Sequence, residues 1–117
     1  MSGRAQAGLA VRLLDVLDDL DRLVSGSAQG AANEVTYQAI VLVDKKLRKE
    51  LEAAGLERID PVGQPFDPTM HEAVSVAPPG PGQKDHTVGA TFQAGYRFKG
   101  NLIRPARVQV ISSEGHA

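Results

Sequence analysis

An α+β fold follows from three observations on the 117-residue chain. Two apolar patterns with helical period fill the first half, the period shifts toward two after Gly55, and all seven prolines lie beyond that glycine. The expected architecture is a helical hairpin at 9–55 that pairs with a second copy as a four-helix bundle. A small all-β domain of short strands follows at 56–111, then a flexible polar tail at 112–117.

Residues 1–7 are small and polar and are read as frayed. From Leu9 the pattern is helical. Leu9, Leu13, Val16, Leu20 and Leu23 are spaced four, three, four, three, which is a heptad seam. Ala10, Leu14, Leu17 and Val24 make a second stripe beside it. The combined face is wider than a two-stranded coiled coil needs and suits a four-helix bundle. Ser25–Asn33 is a break of small residues that returns the chain, with Asn33 placed to cap the next helix. That helix runs from Glu34 to Ala54, with Ile40, Val43, Leu47 and Leu51 as its stripe. Gly55 ends it in a left-handed conformation, Leu56 supplies the hydrophobic contact of the cap, and Pro61 prevents resumption.

Asp67-Pro68 reads as an N-cap opening one short turn through Met70. Glu72–Ala77 alternates like a strand, with Ala73 or Val74 and Val76 as candidates for burial. Pro78–Asp85 is a loop rich in breakers. Thr87–Phe92, Tyr96–Lys99, Leu102–Arg104 and Ala106–Ile111 are further short strands, with turns at Gln93–Gly95 and Gly100-Asn101.

Composition narrows the function. The net charge is -1, and it is evenly spread: 1–55 hold seven basic and eight acidic side chains, 56–117 six of each. No global field draws the chain to nucleic acid or membrane. Without cysteine there is no disulfide framework, thiolate nucleophile or Cys-based metal site. No apolar run approaches the roughly 20 residues that span a bilayer. The expectation is a soluble cytoplasmic protein. Aromatic content of 4% leaves little bulk for a core, and short strands offer little cover for two broad helical faces, so self-association is expected. Leu13, Leu17, Leu20, Ile40, Val43 and Leu47 are the residues assigned to that dimer interface.

The stretch that points to function is Phe92–Val110, FQAGYRFKGNLIRPARVQV. It holds four basic residues (Arg97, Lys99, Arg104, Arg107) and no acidic one. Four charges on alternating strands, with only Tyr96 and Phe98 nearby, are a weak nucleic-acid footprint. A protein-facing basic surface is the better use. Other chemistry is thin. His71, His86 and His116 have no zinc-ligand spacing. His71-Glu72 could be a base with its orienting carboxylate, but no nucleophile lies in that segment, and packing at a helix–strand corner is preferred. The glycines form no phosphate cradle. Asp15, Asp18, Asp19 and Asp21 lie on the solvated side of a helix. No catalytic residue, cofactor or metal is expected.

Two runs, PVGQPFDPTMHEAVSV at Pro61–Val76 and QAGYRFKGNLIRPARVQV at Gln93–Val110, resemble the GrpE family, the nucleotide exchange factors of DnaK-type heat-shock chaperones. Phe66, Asp67, Pro68, His71, Glu72, Ala73 and Val74 match its first motif. Gly95, Tyr96, Arg104, Pro105, Ala106, Val108 and Val110 match its second. LLDVLDDLDRLV at Leu13–Val24 is similar to the segment after the family's long helix. The resemblance implies a homodimer whose β-domain, or wing, binds the chaperone's ATPase domain, opens its nucleotide cleft and releases ADP in protein folding and the stress response. It implies wing contacts at Phe92, Asn101 and Val110, with Arg104 and Pro105 shaping the surface and Gly95, Tyr96 and Val108 in the same motif. The alternative is a dimeric adaptor that binds without exchange. The family carries a long N-terminal helix, of which residues 1–8 would be a remnant. A position around Asn101 is often arginine in relatives.

Overall fold

The computed structural model describes residues 3–25 and 34–116, in two compact units, 1–56 and 57–117. The first unit holds α1 (Gly3–Val24) and α2 (Glu34–Ala54). The return segment after Ser25 and the Asn33 cap lie outside the described residues. Helix α1 begins at Gly3, not at Leu9, so residues 3–7 are helical and not frayed. Arg4, Ala5, Gln6 and Ala7 are good helix formers without an apolar rhythm, so propensity extends the helix where periodicity gives no signal.

The hairpin separates the two stripes of α1. Ala10, Leu14 and Leu17 are buried, Leu17 completely. A charged cluster closes this internal seam. Arg48 donates from Nε to Asp44 Oδ1 at 2.8 Å and from Nη2 to Asp21 Oδ1 at 3.0 Å. The Tyr37 hydroxyl donates to the Val24 carbonyl at 2.9 Å. The other stripe stays open: Leu9 and Val16 are each 45% exposed, and Val43 is 59% exposed. Leu13, Leu20, Ile40 and Leu47 are half-buried.

Gly55 ends α2 with φ 117° and donates to the Glu52 carbonyl at 3.0 Å. Leu56 is not merely the cap's contact. It opens a strand the sequence reading missed, β1 (Leu56–Ile59). Five more strands follow: β2 (His71–Ala77), β3 (Thr87–Gln93), β4 (Gly95–Phe98), β5 (Asn101–Arg104) and β6 (Ala106–Ile111). They form two three-stranded sheets, ordered β1-β4-β5 and β2-β6-β3. In the second, β6 is central, parallel to β2 and antiparallel to β3. Ala106, Val108 and Val110 face one side of β6 and are fully buried. With Ile59 and Val88 they make the core, against which Phe66, Met70 and Ala73 pack. Val74 is 40% exposed because a register shift between Ala73 and Ser75 turns it outward.

The β4–β5 turn is one residue earlier than expected. Phe98 pairs with Asn101, and Lys99 (φ 50°) and Gly100 (φ 85°) are its two central residues. Two left-handed residues in a two-residue loop follow the twist of the strands. The segment from Ser112 is not a loose tail. The Ser113 amide and hydroxyl donate to the two Asp85 oxygens at 2.8 and 2.7 Å. These bonds hold the Asp85 carboxyl below the usual carboxylate range.

Among the described residues, no helix is long and apolar enough to cross a membrane, and no cluster of three or more His, Asp or Glu is arranged for a metal.

Candidate partner-binding surface

The residues assigned to partner binding fall into two groups. Gly95 and Tyr96 are buried, and Val108 and Val110 are completely so. They support the surface and do not form it, because strand alternation turns 106, 108 and 110 into the core. Phe92 and Asn101 are exposed, while Arg104 and Pro105 are half-buried.

Phe92 is the informative member. Thr91 pairs with Val108 and Gln93 with Arg107, so Phe92 is the extra residue of a β-bulge. The bulge re-aims an aromatic side chain that a regular strand would hold in register. At 59% exposed, Phe92 is the most exposed aromatic residue of the β-unit. Leu102, on β5, is 41% exposed and was not among the sequence-derived candidates. The sequence shows only an apolar residue beside Asn101; that its strand is an edge comes from the sheet order.

Arg104 works as a clamp. Its Nε and Nη2 donate to the Ala94 carbonyl at 3.0 and 2.6 Å. Its guanidinium lies over the Tyr96 ring, 5.4 Å from the centroid. The Tyr96 hydroxyl accepts from Arg58 at 3.1 Å. The short link between β3 and β4 is therefore fixed from both sides, which sets where Phe92 emerges. Gly95 is required at this link. A Cβ there would lie 2.4 Å from the Ala106 nitrogen and 2.8 Å from the Arg104 carbonyl oxygen, both backbone atoms.

Two of the four cations of the basic face expected from sequence have an acidic neighbour within the fold. Arg97 pairs with Glu57, and Arg107 lies 3.9 Å from Glu72. Lys99 sits over the Phe98 ring at 5.5 Å. His71 is buried at the start of β2, at the corner expected of it. Its Nδ1 accepts from the Asp67 amide at 2.9 Å, and Asp67 caps the turn by accepting from the Thr69 amide at 2.9 Å. Glu72 is exposed and turned toward Arg107, which does not suit a base–orienter pair.

The residues assigned to self-association divide as well. Leu17 is completely buried within its own hairpin and belongs to the intrachain seam. Leu20, Ile40 and Val43, with Leu23, Thr36 and Ala39, line an open apolar groove of about 250 Å³.

Comparison with known proteins is consistent with this architecture. A family model described as GrpE matches residues 2–112. Protein GrpE of Treponema pallidum is 34% identical over 116 residues, covering 94% of this chain and 52% of that protein. Protein GrpE of Geobacillus thermodenitrificans is 37% identical, covering 92% and 48%, and that of Limosilactobacillus reuteri is 38% identical, covering 87% and 54%. The chain thus spans about half the length of the curated relatives it matches.

Proposed function

The chain belongs to the GrpE family, and on that premise we propose that it is a nucleotide exchange factor for a DnaK-type chaperone. It binds the chaperone's ATPase domain through the β-unit and favours the open state of the nucleotide cleft, so that ADP leaves. The factor does no covalent chemistry. It shifts a population by binding one state better than the other.

The observation that carries this reading is Phe92, held out of the sheet by a bulge and more than half exposed. A solvent-facing aromatic on a rigid support is the kind of anchor that dominates protein interfaces. Asn101, Leu102, Arg104 and Pro105 are the further contacts. Gly95, Tyr96, Val108 and Val110 act beneath them by fixing the strands. Asn101 offers no charge to an acidic partner, so Asn101→Arg strengthens binding where a carboxylate faces it, by about 1.5–3 kcal/mol for a well-formed charged hydrogen bond.

The protein acts as a homodimer in this reading. The face formed by Leu13, Leu20, Ile40, Val43 and Leu47 is the seam, and two hairpins make the four-helix bundle. Its support is the contrast between the closed internal seam and the open apolar groove in the same hairpin.

Complex formation with the ATPase domain, measured beside ADP release, tests the reading. Binding that weakens at least tenfold in Phe92→Ala, together with accelerated release by the parent protein, is expected. Tight binding with unchanged release would select an adaptor, and no binding at micromolar concentration would refute both.

A further inference from the structure

We propose that His71 is a pH-sensitive latch in the β-unit: its uncharged imidazole holds the 67–70 turn against the sheet, and protonation at Nδ1 releases that turn. The inference stands on wing geometry and does not depend on the exchange reading.

The turn is closed by three bonds around one ring. Asp67 NH donates to His71 Nδ1 at 2.9 Å, His71 NH donates to the Asp67 carbonyl at 2.8 Å, and Met70 NH donates to the same carbonyl at 3.0 Å. The first fixes the neutral tautomer, with the ring proton on Nε2, because a nitrogen that accepts a hydrogen bond carries no proton. Protonation at Nδ1 sets two N–H groups against each other. The bond is then not weakened but reversed in sign, and the amide of Asp67 loses its partner inside the turn.

The turn matters beyond itself. Phe66 and Met70 flank it and pack on the core, with the Phe66 ring 5.9 Å from the imidazole. The Met70 carbonyl accepts from Ala106 at the start of β6, at 3.0 Å. Releasing the latch loosens both core contacts and the β2–β6 start.

His71 is also largely shielded from water. It is 5% exposed. It lines a cavity of about 220 Å³ shared with Glu57, Arg58, Ile59, Asp60, Met70 and Arg97. The charges that face it come from three elements. Asp67 in the turn is the closest acid, but its Oδ1 is engaged by the Thr69 amide and hydroxyl at 2.9 and 2.6 Å. From β1 and the residue after it come Glu57, Arg58 and Asp60, and from β4 comes Arg97. Glu57 is paired with Arg97, and Asp60 lies 3.7 Å from Arg58. The cavity is thus internally balanced. Neighbouring Glu72 and Arg107 share the other face of the sheet. Burial pushes the imidazole below its ordinary range, and the Asp67 charge offsets this only in part.

The sign follows from linkage. The opened turn binds a proton more readily than the closed one. Above about pH 6.5 both are neutral and the latch is closed. Below it, the opening constant rises by up to about tenfold per pH unit until the closed form is itself protonated.

Two measurements on the whole protein test the latch. The first is amide exchange at Asp67, corrected for intrinsic rate, from pH 7.5 to 5. The parent protein is expected to lose protection at Asp67 and Met70 as the pH falls, ahead of β6. His71→Asn, whose Oδ1 can accept at the Nδ1 position but cannot titrate, is expected to keep it. Unchanged protection in the parent, or an equal loss in His71→Asn, overturns the proposal. The second needs no variant: the ring nitrogen shifts of His71 should report the Nε2–H tautomer at pH 7.5. The Nδ1–H tautomer, or a protonated ring with full Asp67 protection at pH 5, overturns the proposal.

Discussion

Replacing Gly95 by alanine adds one methyl group, and the structure says where it must go. Its nearest neighbours would be the Ala106 nitrogen at 2.4 Å, the Arg104 carbonyl oxygen at 2.8 Å and the Pro105 carbonyl carbon at 2.8 Å. None can rotate away, because all three are backbone atoms of the β5–β6 link. A carbon needs about 3.5 Å from such atoms, so the link must retreat by close to an ångström. That retreat pulls on the Tyr96–Arg104 pair and on the Arg104 bonds to the Ala94 carbonyl. Overpacking of this kind costs about 1–3 kcal/mol and more where nothing yields, so about 3 kcal/mol is expected. For a unit of this size, that lowers the midpoint by roughly 12–24 °C. Gly89→Ala is the matched control. Its methyl would meet the Ile111 Cδ1 at 2.5 Å, the end of a buried side chain and not backbone. It should cost about 1–2 kcal/mol, less than Gly95→Ala, because a side-chain end yields more readily than backbone. Amide exchange at β6 reads both variants without interference from the helices. A Gly95→Ala protein within about 0.5 kcal/mol of the parent, or a worse result for Gly89→Ala, would refute the steric account.

Three other predictions concern the rest of the chain. Val43→Asp places a charge on the open face and should give folded monomers by light scattering, whereas Leu17→Asp strikes the internal seam and should lose helical circular dichroism; a Val43→Asp dimer would move the interface elsewhere. Arg48→Ala leaves Asp44 and Asp21 without their shared cation in a partly buried seam, and should cost about 2 kcal/mol, between the surface and buried limits; urea titration of the helical signal measures it. Asp67 and Asp85 are held below the ordinary carboxylate range, Asp67 by Thr69 and Asp85 by Ser113. Each stabilises the fold above its unfolded value of about 4 and ceases to do so as pH falls through its lower folded value. Stability of the parent should therefore drop below about pH 4, and Asp85→Asn should flatten that drop; an unchanged pH profile in the variant would count against the Ser113 clasp.

How much of this was legible in the sequence depended on the range of the interactions. The heptad spacing placed both helices, and Gly55 marked the end of α2. The bounds of β6 could be read directly, because 106, 108 and 110 alternate with polar neighbours. Strand β1 was missed because Glu57 and Arg58 separate Leu56 from Ile59 and break the alternation. The turn at Lys99-Gly100 was set one residue late because lysine carries no signal for a left-handed backbone. The ion pairs within the basic face were hidden for a different reason. Arg97 meets Glu57 across 40 residues, and Arg107 meets Glu72 on an adjacent strand. Local composition cannot show partners that only sheet pairing brings together. The same limit hid which stripe of α1 faces α2, and so put Leu17 in the wrong seam. Phe92 was chosen by motif, but the bulge that exposes it is a property of the β3–β6 register.

Release of a labelled ADP from the ATPase domain of a DnaK-type chaperone is the decisive assay for the proposed nucleotide exchange. The release rate should rise with added protein and saturate, and Phe92→Ala should shift that saturation to higher concentration. A rate independent of the protein at micromolar concentrations would contradict the account.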